Sequence, residues 1–183
     1  MPCSIDLVKG LMIGATYIES PNHNERPEDC SINLLVIHNI SLPPGQYGSG
    51  AIFDFFQNKL DCTQHPYFET IAHLQVSSHL LIRREGTLYQ FVPFHKRAWH
   101  AGASSFLGVN NCNDYSIGIE LEGQDDEEYT SSQYQMLSEA TRALMQYAPG
   151  ITLDRIVGHQ QIAPDRKTDP GASFNWVYYR SLI

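Results

Sequence analysis

Residues 33–38 have the sequence Asn33-Leu34-Leu35-Val36-Ile37-His38, in which an apolar run of strand length ends at a histidine. The four apolar residues do not alternate with polar ones, so the run predicts a strand that is covered on both faces. Strands of this kind belong to sheets with helices packed on both sides. The α/β class is therefore the first hypothesis for the fold.

Further strands and helices are predicted on both sides of this run. Residues 116–122 alternate strictly, which predicts a strand with Ile117, Ile119 and Leu121 on one face and Gly118, Glu120 and Glu122 on the other. A capping box over residues 130–133 precedes apolar residues at helical spacing, and this helix is expected to end before Pro149. The remaining predictions are a helix over 51–59, a hairpin of 78–84 and 87–92 around a two-residue link, a short strand over 155–159 and a closing helix over 174–182.

The order of these elements predicts one α/β domain over residues 1–183, with a mixed central sheet flanked by helices. The sequence has no repeat of fixed period and no low-complexity tract that would mark a boundary. Residues 1–31 contain Pro21, Pro27 and several Asn and Ser but no periodicity. We expect them to form an irregular arm that lies on the core.

Composition narrows the function classes. The 183 residues include 12 Lys and Arg against 20 Asp and Glu, a formal net charge of −8, and 42% are hydrophobic. An acidic chain of this kind is repelled by nucleic acids and by anionic membranes, so neither is expected as a partner. No apolar run approaches the roughly 20 residues of a membrane span.

The chain start and the cysteines favour a cytoplasmic protein. Asp6 and Lys9 interrupt the apolar residues near the beginning, and no basic region precedes them, so no signal peptide is predicted. The four cysteines, at positions 3, 30, 62 and 112, have no metal-knuckle spacing and are expected to be reduced.

Two predicted strands end in histidines that suit a metal. If the strands of His38 and His159 are neighbours, both imidazoles emerge at the same edge of the sheet, where zinc requires a third ligand and one free position. Asp165 and Asp169 both follow His159, and spacing leaves the choice between them open. The alternative is a pair of structural histidines and a turn-forming aspartate, and His79 is a rival ligand.

Four motifs occur in order along the chain: VIHNISLPPG at 36–45, KRAWHAG at 96–102, CNDYSIGIELEG at 112–123 and GHQQIAPDRKTDPG at 158–171. Together they resemble the AmpD-type N-acetylmuramoyl-L-alanine amidases, over roughly residues 20 to 180. That wider family includes the peptidoglycan recognition proteins and amidase-type phage lysozymes, and the resemblance implies their mixed-sheet fold.

The resemblance also implies a zinc site made by His38, His159 and Asp169, and so favours Asp169 over Asp165. It implies that Glu120 takes a proton from the attacking water and delivers it to the leaving nitrogen, while Lys167 stabilises the oxyanion. Gly118 is expected to leave room for substrate beside Glu120. Without the resemblance, the favoured explanation of Glu120 and Glu122 is the solvated side of an edge strand, and Lys167 is explained as a surface lysine.

Substrate contacts are less well defined by the sequence. Asn39 and Trp99 are candidates, although Trp99 and His100 are also explained as core residues. The related amidases carry arginines at the positions of Gln75 and Asn111, where they would pair with carboxylates of the stem peptide. We expect weaker recognition of that peptide here, or compensation by the set Arg83, Arg84 and Arg97.

The resemblance therefore predicts a monomeric, zinc-dependent cytoplasmic amidase. Its substrate would be a muropeptide, cleaved between N-acetylmuramic acid, in the 1,6-anhydro form, and L-alanine during peptidoglycan recycling. Two alternatives remain: an exported amidase acting on intact cell wall, and a non-catalytic muropeptide-binding module.

Overall fold

A computed structural model describes residues 3–183 of the protein. It contains short strands and five α-helices in the described part of the chain. The strands are, in chain order, β1 (Ser4–Asp6), β2 (Leu11–Ile13), β3 (Thr16–Tyr17), β4 (His23–Glu25), β5 (Leu34–Ile40), β6 (Leu80–Ile82), β7 (Leu88–Gln90), β8 (Lys96–Ala98), β9 (Ser105–Phe106), β10 (Val109–Asn110), β11 (Ser116–Glu122) and β12 (Ile156–Gly158). The helices are α1 (Ala51–Phe56), α2 (Pro66–Ile71), α3 (Ser131–Tyr147), α4 (His159–Ile162) and α5 (Trp176–Leu182).

The central sheet has six strands in the order β12-β5-β11-β6-β7-β3. The first four are parallel to their neighbours, β7 is antiparallel to β6, and β3 is parallel to β7. The predicted α/β class with a mixed sheet is therefore confirmed. The prediction that the strands of His38 and His159 are neighbours is also confirmed, because β12 pairs directly with β5.

Helices α3 and α5 cover one face of the sheet. Ile37, Ile119 and Leu121 pack there against Leu144 of α3 and Tyr179 of α5, and all five side chains are buried. The predicted capping box is present, since the Thr130 hydroxyl accepts from the backbone N–H of Gln133, whose side chain returns a bond to the N–H of Thr130.

The opposite face of the sheet is covered by α1, α2 and loops. Phe55 and Phe56 of α1 pack there with Leu81 of β6, and Val36 of β5 forms a separate apolar cluster with Val157 of β12. The side chains of His38 and Glu120 lie on this same face, which positions the site described below. None of the helices in the described range is long and apolar enough to cross a membrane.

Three features differ from the sequence predictions. The link between β6 and β7 has five residues, 83–87, rather than two, and within it the Arg83 N–H donates to the Thr87 carbonyl at 3.0 Å. Within the predicted arm 1–31, the described residues 3–31 are more regular than expected, since β3 and β4 pair with β7 and β8. These strands have only two or three residues, which is too short to produce a detectable period.

Strand β11 provides the third difference. All seven of its residues are buried, because it lies between β5 and β6 and is covered on both faces. The alternative in which Glu120 and Glu122 form the solvated side of an edge strand is therefore wrong.

Candidate metal centre and active site

The side chains of His38, His159 and Asp169 converge on one point. The Nδ1 atoms of the two histidines are 2.9 Å apart, and the Asp169 Oδ2 atom lies 3.0 Å from Nδ1 of His38 and 3.1 Å from Nδ1 of His159. Both histidines are buried, and the Asp169 side chain is 13% exposed. The structure thus brings together three residues that are distant in sequence, within the ligand-to-ligand spacing expected of a metal site.

Strand register and one loop produce this convergence. Gly158 of β12 is opposite Ile37 of β5, so His159, at the start of α4, lies beside His38. The loop that carries Asp169 returns to the same place, because the carbonyl of Asp169 accepts a hydrogen bond from the Gln160 N–H at 3.0 Å. A side chain at Gly158 would place its Cβ 2.6 Å from the Pro170 ring, so glycine permits this close approach.

The donor set fits zinc. His159 donates from Nε2 to the Ala101 carbonyl at 3.1 Å, since a carbonyl can only accept, so Nδ1 is the nitrogen of the neutral ring that is left to bind a metal. Burial lowers the pKa of His38 to about 4, which keeps this imidazole neutral at pH 7. Lone pairs held about 3 Å apart repel unless a cation lies between them. Tetrahedral ligands at about 2.0–2.1 Å from zinc are about 3.3 Å from one another, close to the observed spacing.

Glu120 lies beside this cluster. It is the residue of β11 in register with His38 of β5, and its side chain lines the same cavity of about 350 Å³. The carboxylate is 8% exposed, and its Oε2 atom has no hydrogen-bond partner among residues 3–183. Burial, reinforced by the charge of Asp169, raises the pKa of Glu120 well above its ordinary value. A carboxylate in this state is suited to exchange a proton with a water molecule or a substrate.

Of the other predicted site residues, two line the cavity and two do not. Lys167 and Asn39 line the cavity with the three converging residues, and the Asn39 amide donates to Asp125 Oδ1 at 2.8 Å. Trp99 does not line it, and its indole N–H donates to Asn24 Oδ1 at 2.7 Å. His79 accepts from the Gly118 N–H and contacts the Lys96 carbonyl, so it is not part of the metal cluster.

Two expectations about the substrate side need correction. A Cβ at Gly118 would lie 2.6 Å from the His100 ring, so the space beside Glu120 is filled by this imidazole rather than left for substrate. The three arginines offered as compensation are engaged within the protein: Arg83 bonds the Gly48 carbonyl, Arg84 pairs with Glu127 and Arg97 pairs with Asp114.

The apolar wall of the cavity was not predicted from the sequence. It is formed by side chains of α1, of α2 and of the two loops that flank this helical pair: Leu42, Phe55, Phe56, Tyr67, Ile71, Leu74 and Val76. Helix α2 was not predicted, although Pro66 at its first position and the His65 ring that caps it are helix-start signals. Its six residues are too few for a hydrophobic period to be recognised.

The sequence profile of the N-acetylmuramoyl-L-alanine amidases matches residues 28–172, most of the chain. The chain belongs to this amidase family. Among its relatives, the 1,6-anhydro-N-acetylmuramyl-L-alanine amidase AmpD of Escherichia coli (strain K12) is 52% identical over 177 residues, which cover 97% of this chain and 96% of the relative. The matched range contains all three residues of the metal cluster.

Solved amidase structures agree with this membership. The crystal structure of a selenomethionine AmpD derivative superposes with a TM-score of 0.94 at 51% identity and covers 98% of both chains. The amidase AmiD from E. coli, in complex with the substrate anhydro-N-acetylmuramic acid-L-Ala-D-gamma-Glu-L-Lys, gives a TM-score of 0.61 at 28% identity, covering 86% of this chain and 60% of that one. The chain is thus an N-acetylmuramoyl-L-alanine amidase of the AmpD type, as its motifs predicted.

Proposed function

We propose that the protein is a zinc-dependent amidase that hydrolyses the amide bond between 1,6-anhydro-N-acetylmuramic acid and the first L-alanine of the stem peptide. The observation that carries the proposal is the convergence of His38, His159 and Asp169 beside the unpartnered carboxylate of Glu120. The name of the AmpD relative and the ligand bound to AmiD support the choice of substrate. The chain acts as one amidase domain, with residues 3–31 packed on it.

His38, His159 and Asp169 hold the metal. Two imidazoles and one carboxylate would leave a bound zinc ion with a net charge near +1, which would acidify a water molecule and polarise the amide carbonyl. Burial favours this arrangement, because it keeps competing water away from the ligands and strengthens the electrostatic interactions within the site.

Glu120 moves the proton. It takes one proton from the water whose oxygen attacks the lactyl carbonyl carbon, and it delivers a proton to the alanine nitrogen as the C–N bond breaks. The products are a free lactyl carboxylate on the sugar and a peptide with a free amino terminus. The raised pKa of Glu120 suits the second step, because a buried carboxyl group retains the proton until the nitrogen accepts it.

Lys167 and Asn39 act on the substrate. Both line the cavity next to the metal cluster, where the Lys167 ammonium stabilises the negative charge that develops on the carbonyl oxygen. Asn39 offers a hydrogen bond to the substrate next to a metal ligand. Trp99 is a stacking candidate only for a part of the substrate that extends beyond the cavity.

The protein acts as a cytoplasmic monomer in peptidoglycan recycling, where its partner is a small muropeptide rather than a polymer. The strong net negative charge supports this role over docking on the anionic cell wall. A non-catalytic binding module is disfavoured, because such a module needs neither the buried, unpartnered Glu120 nor a complete ligand set.

Incubation with a defined anhydromuropeptide, and separately with intact sacculi, followed by mass analysis, tests the proposal. We expect release of the intact stem peptide from the anhydromuropeptide, loss of that activity in chelator and recovery with zinc. Cleavage of sacculi alone would favour the exported amidase, and activity that persists in chelator in a metal-free protein would contradict the metalloenzyme mechanism.

A further inference from the structure

One dipeptide, His100–Ala101, contacts both imidazoles of the metal cluster from the side away from the metal. Nδ1 of His100 lies 2.9 Å from Nε2 of His38, and the carbonyl oxygen of Ala101 lies 3.1 Å from Nε2 of His159. Ligating histidines generally use their second nitrogen for such an outer contact, which fixes the ring orientation. Here the two outer contacts come from adjacent residues, so a displacement of this dipeptide would disturb both rings together.

The other hydrogen bond of His100, to Ser116, determines which ring is the donor in the contact between His38 and His100. The Ser116 hydroxyl donates to the Cys112 carbonyl at 2.5 Å, and a carbonyl can only accept. Because the only hydroxyl hydrogen of Ser116 is used in that bond, Ser116 Oγ must accept from Nε2 of His100 at 3.1 Å. His100 is 7% exposed and has no carboxylate partner, which leaves it neutral with a lone pair on Nδ1.

The lone pair on Nδ1 of His100 determines the tautomer of the His38 ring. His38 must donate from Nε2 to Nδ1 of His100, so the hydrogen of the neutral His38 ring lies on Nε2 and its Nδ1 lone pair faces Asp169. The series of hydrogen bonds from Cys112 through Ser116 to His100 thus favours the His38 tautomer whose Nδ1 can bind a metal.

The position of the dipeptide is set by a second side chain. The Oδ1 atom of Asn113 accepts from the backbone N–H of His100 at 3.1 Å and from that of Ala101 at 2.7 Å. Asn113 is 5% exposed and lies in the one-turn 3₁₀ segment Cys112–Asp114, three residues before Ser116. Arg26 donates to the backbone carbonyl of Asn113 and so helps to fix the position of this segment.

We propose that Asn113 and Ser116 are positioning residues of the metal centre, which act through the His100–Ala101 dipeptide on the two ligating imidazoles. The inference rests on the proposed function in one respect, that His38, His159 and Asp169 hold zinc. A merely structural role for these hydrogen bonds would lower the stability of the fold but would leave the zinc affinity of the folded protein unchanged.

The test measures zinc affinity by competition with a chromophoric chelator and records ¹⁵N signals of the histidine rings in the metal-free and zinc-loaded protein. We expect Asn113→Ala to weaken zinc binding by about tenfold or more and to shift the ring signals of both His38 and His159. Asn113→Asp keeps the acceptor oxygen and should restore most of the affinity. Ser116→Ala should shift the ring signals of His38 and leave those of His159 in place.

Leu144→Ala is the matched control, since this buried side chain lies in α3 on the far face of the sheet. It should lower stability and bind zinc as the unaltered chain does. Unchanged affinity and ring signals in both Asn113→Ala and Ser116→Ala would overturn the inference while leaving the proposed function intact. If Asn113→Ala does not fold, unchanged His38 signals in Ser116→Ala overturn it, whereas an unaltered chain that binds no zinc overturns the proposed function as well.

Discussion

Glu120 and Glu122 occupy the same face of the same strand and are both buried, yet their surroundings give them different chemistry. The Glu122 carboxylate accepts from the Gly48 N–H at 2.8 Å and from the Arg84 N–H at 3.3 Å, so both of its oxygens are used to hold neighbouring loops. The Oε2 atom of Glu120 has no such partner among the described residues and lies at the metal-side cavity. Glu120 is therefore available for proton transfer and Glu122 is not.

Replacing each glutamate by glutamine separates these two roles. We expect Glu120→Gln to lower kcat by about a hundredfold or more without loss of zinc, because it removes the proton acceptor and touches no ligand. Glu122→Gln should keep most of the activity and lose about 1–3 kcal/mol of unfolding free energy, because its amide group would face the Arg84 N–H. Steady-state kinetics, zinc content and urea unfolding measure these effects, and the reverse pattern would reassign the proton transfer to Glu122.

Asp165 and Asp169 lie in the same loop but differ in position. Asp169 contacts both histidines, whereas Asp165 is exposed and outside the cluster. Asp169→Ala should lower the zinc content of the purified protein to a small fraction of one per chain, because a three-ligand site loses its only carboxylate. Asp165→Ala is the matched control and should retain about one zinc per chain. Elemental analysis decides, and zinc loss in the control alone would mean that the ligand assignment is wrong.

Helix α3 forms one wall of the core without contributing to the site. Its buried residues Leu137, Ala140 and Leu144 pack on the sheet face opposite His38 and Glu120. The helix starts at a complete capping box, and the Thr130 hydroxyl also donates to the Arg84 carbonyl at 2.6 Å. Helix α3 therefore contributes to stability from the sheet face opposite the site.

Thr130→Ala should therefore reduce stability and spare the metal site. We expect a loss of about 1–2 kcal/mol in unfolding free energy, because one helix N–H and one loop carbonyl lose their partner. Ser132→Ala, an exposed change one residue before Gln133, is the control and should have little effect on unfolding. Urea denaturation and zinc titration of both variants provide the measurement, and weakened zinc binding in Thr130→Ala would show that the two faces are coupled.

Besides strand pairing, a partly buried cation joins the amino-terminal segment to the rest of the protein. Arg26 donates to the carbonyls of Asn113, Asp114, Ser116 and Phe94, which come from two separate parts of the chain. Burial lowers the pKa of Arg26 to about 10, which leaves it charged at pH 7. This contact connects residues 3–31 to the turn that precedes β11, and hence to the segment behind the metal cluster.

Loss of Arg26 should accordingly destabilise the whole fold. Arg26→Met keeps the apolar stem but removes the donors to four carbonyls, and we expect a loss of about 3 kcal/mol in unfolding free energy. Lys9→Ala removes an exposed cation from the same amino-terminal segment and should have almost no effect. Thermal or urea unfolding distinguishes the two, and equal stability of both variants would contradict the role assigned to Arg26.

Most of the central architecture could be predicted from local pattern. The apolar run of β5, the alternation of β11 and the cap and period of α3 each repeat a signal over at least four residues, so each is recognisable without its neighbours. Helix α2 and strands β1 to β4 have at most six residues, and their stability comes from pairing and packing partners that are distant in sequence. Such elements carry no period of their own.

The candidate site likewise has features that the sequence could predict and features that only the tertiary structure determines. The four motifs were sufficient to identify the amidase family, and the resemblance to that family then named His38, His159, Asp169 and Glu120. Residue types and spacing alone left the choice between Asp165 and Asp169 open and favoured a solvated Glu120. The proximity of these groups, the lone pairs that His38 and His159 present, and the contrast between Glu120 and Glu122 come from strand order and loop return. These depend on contacts across as many as 131 residues of chain, between His38 and Asp169, and a local pattern carries no information about such distances.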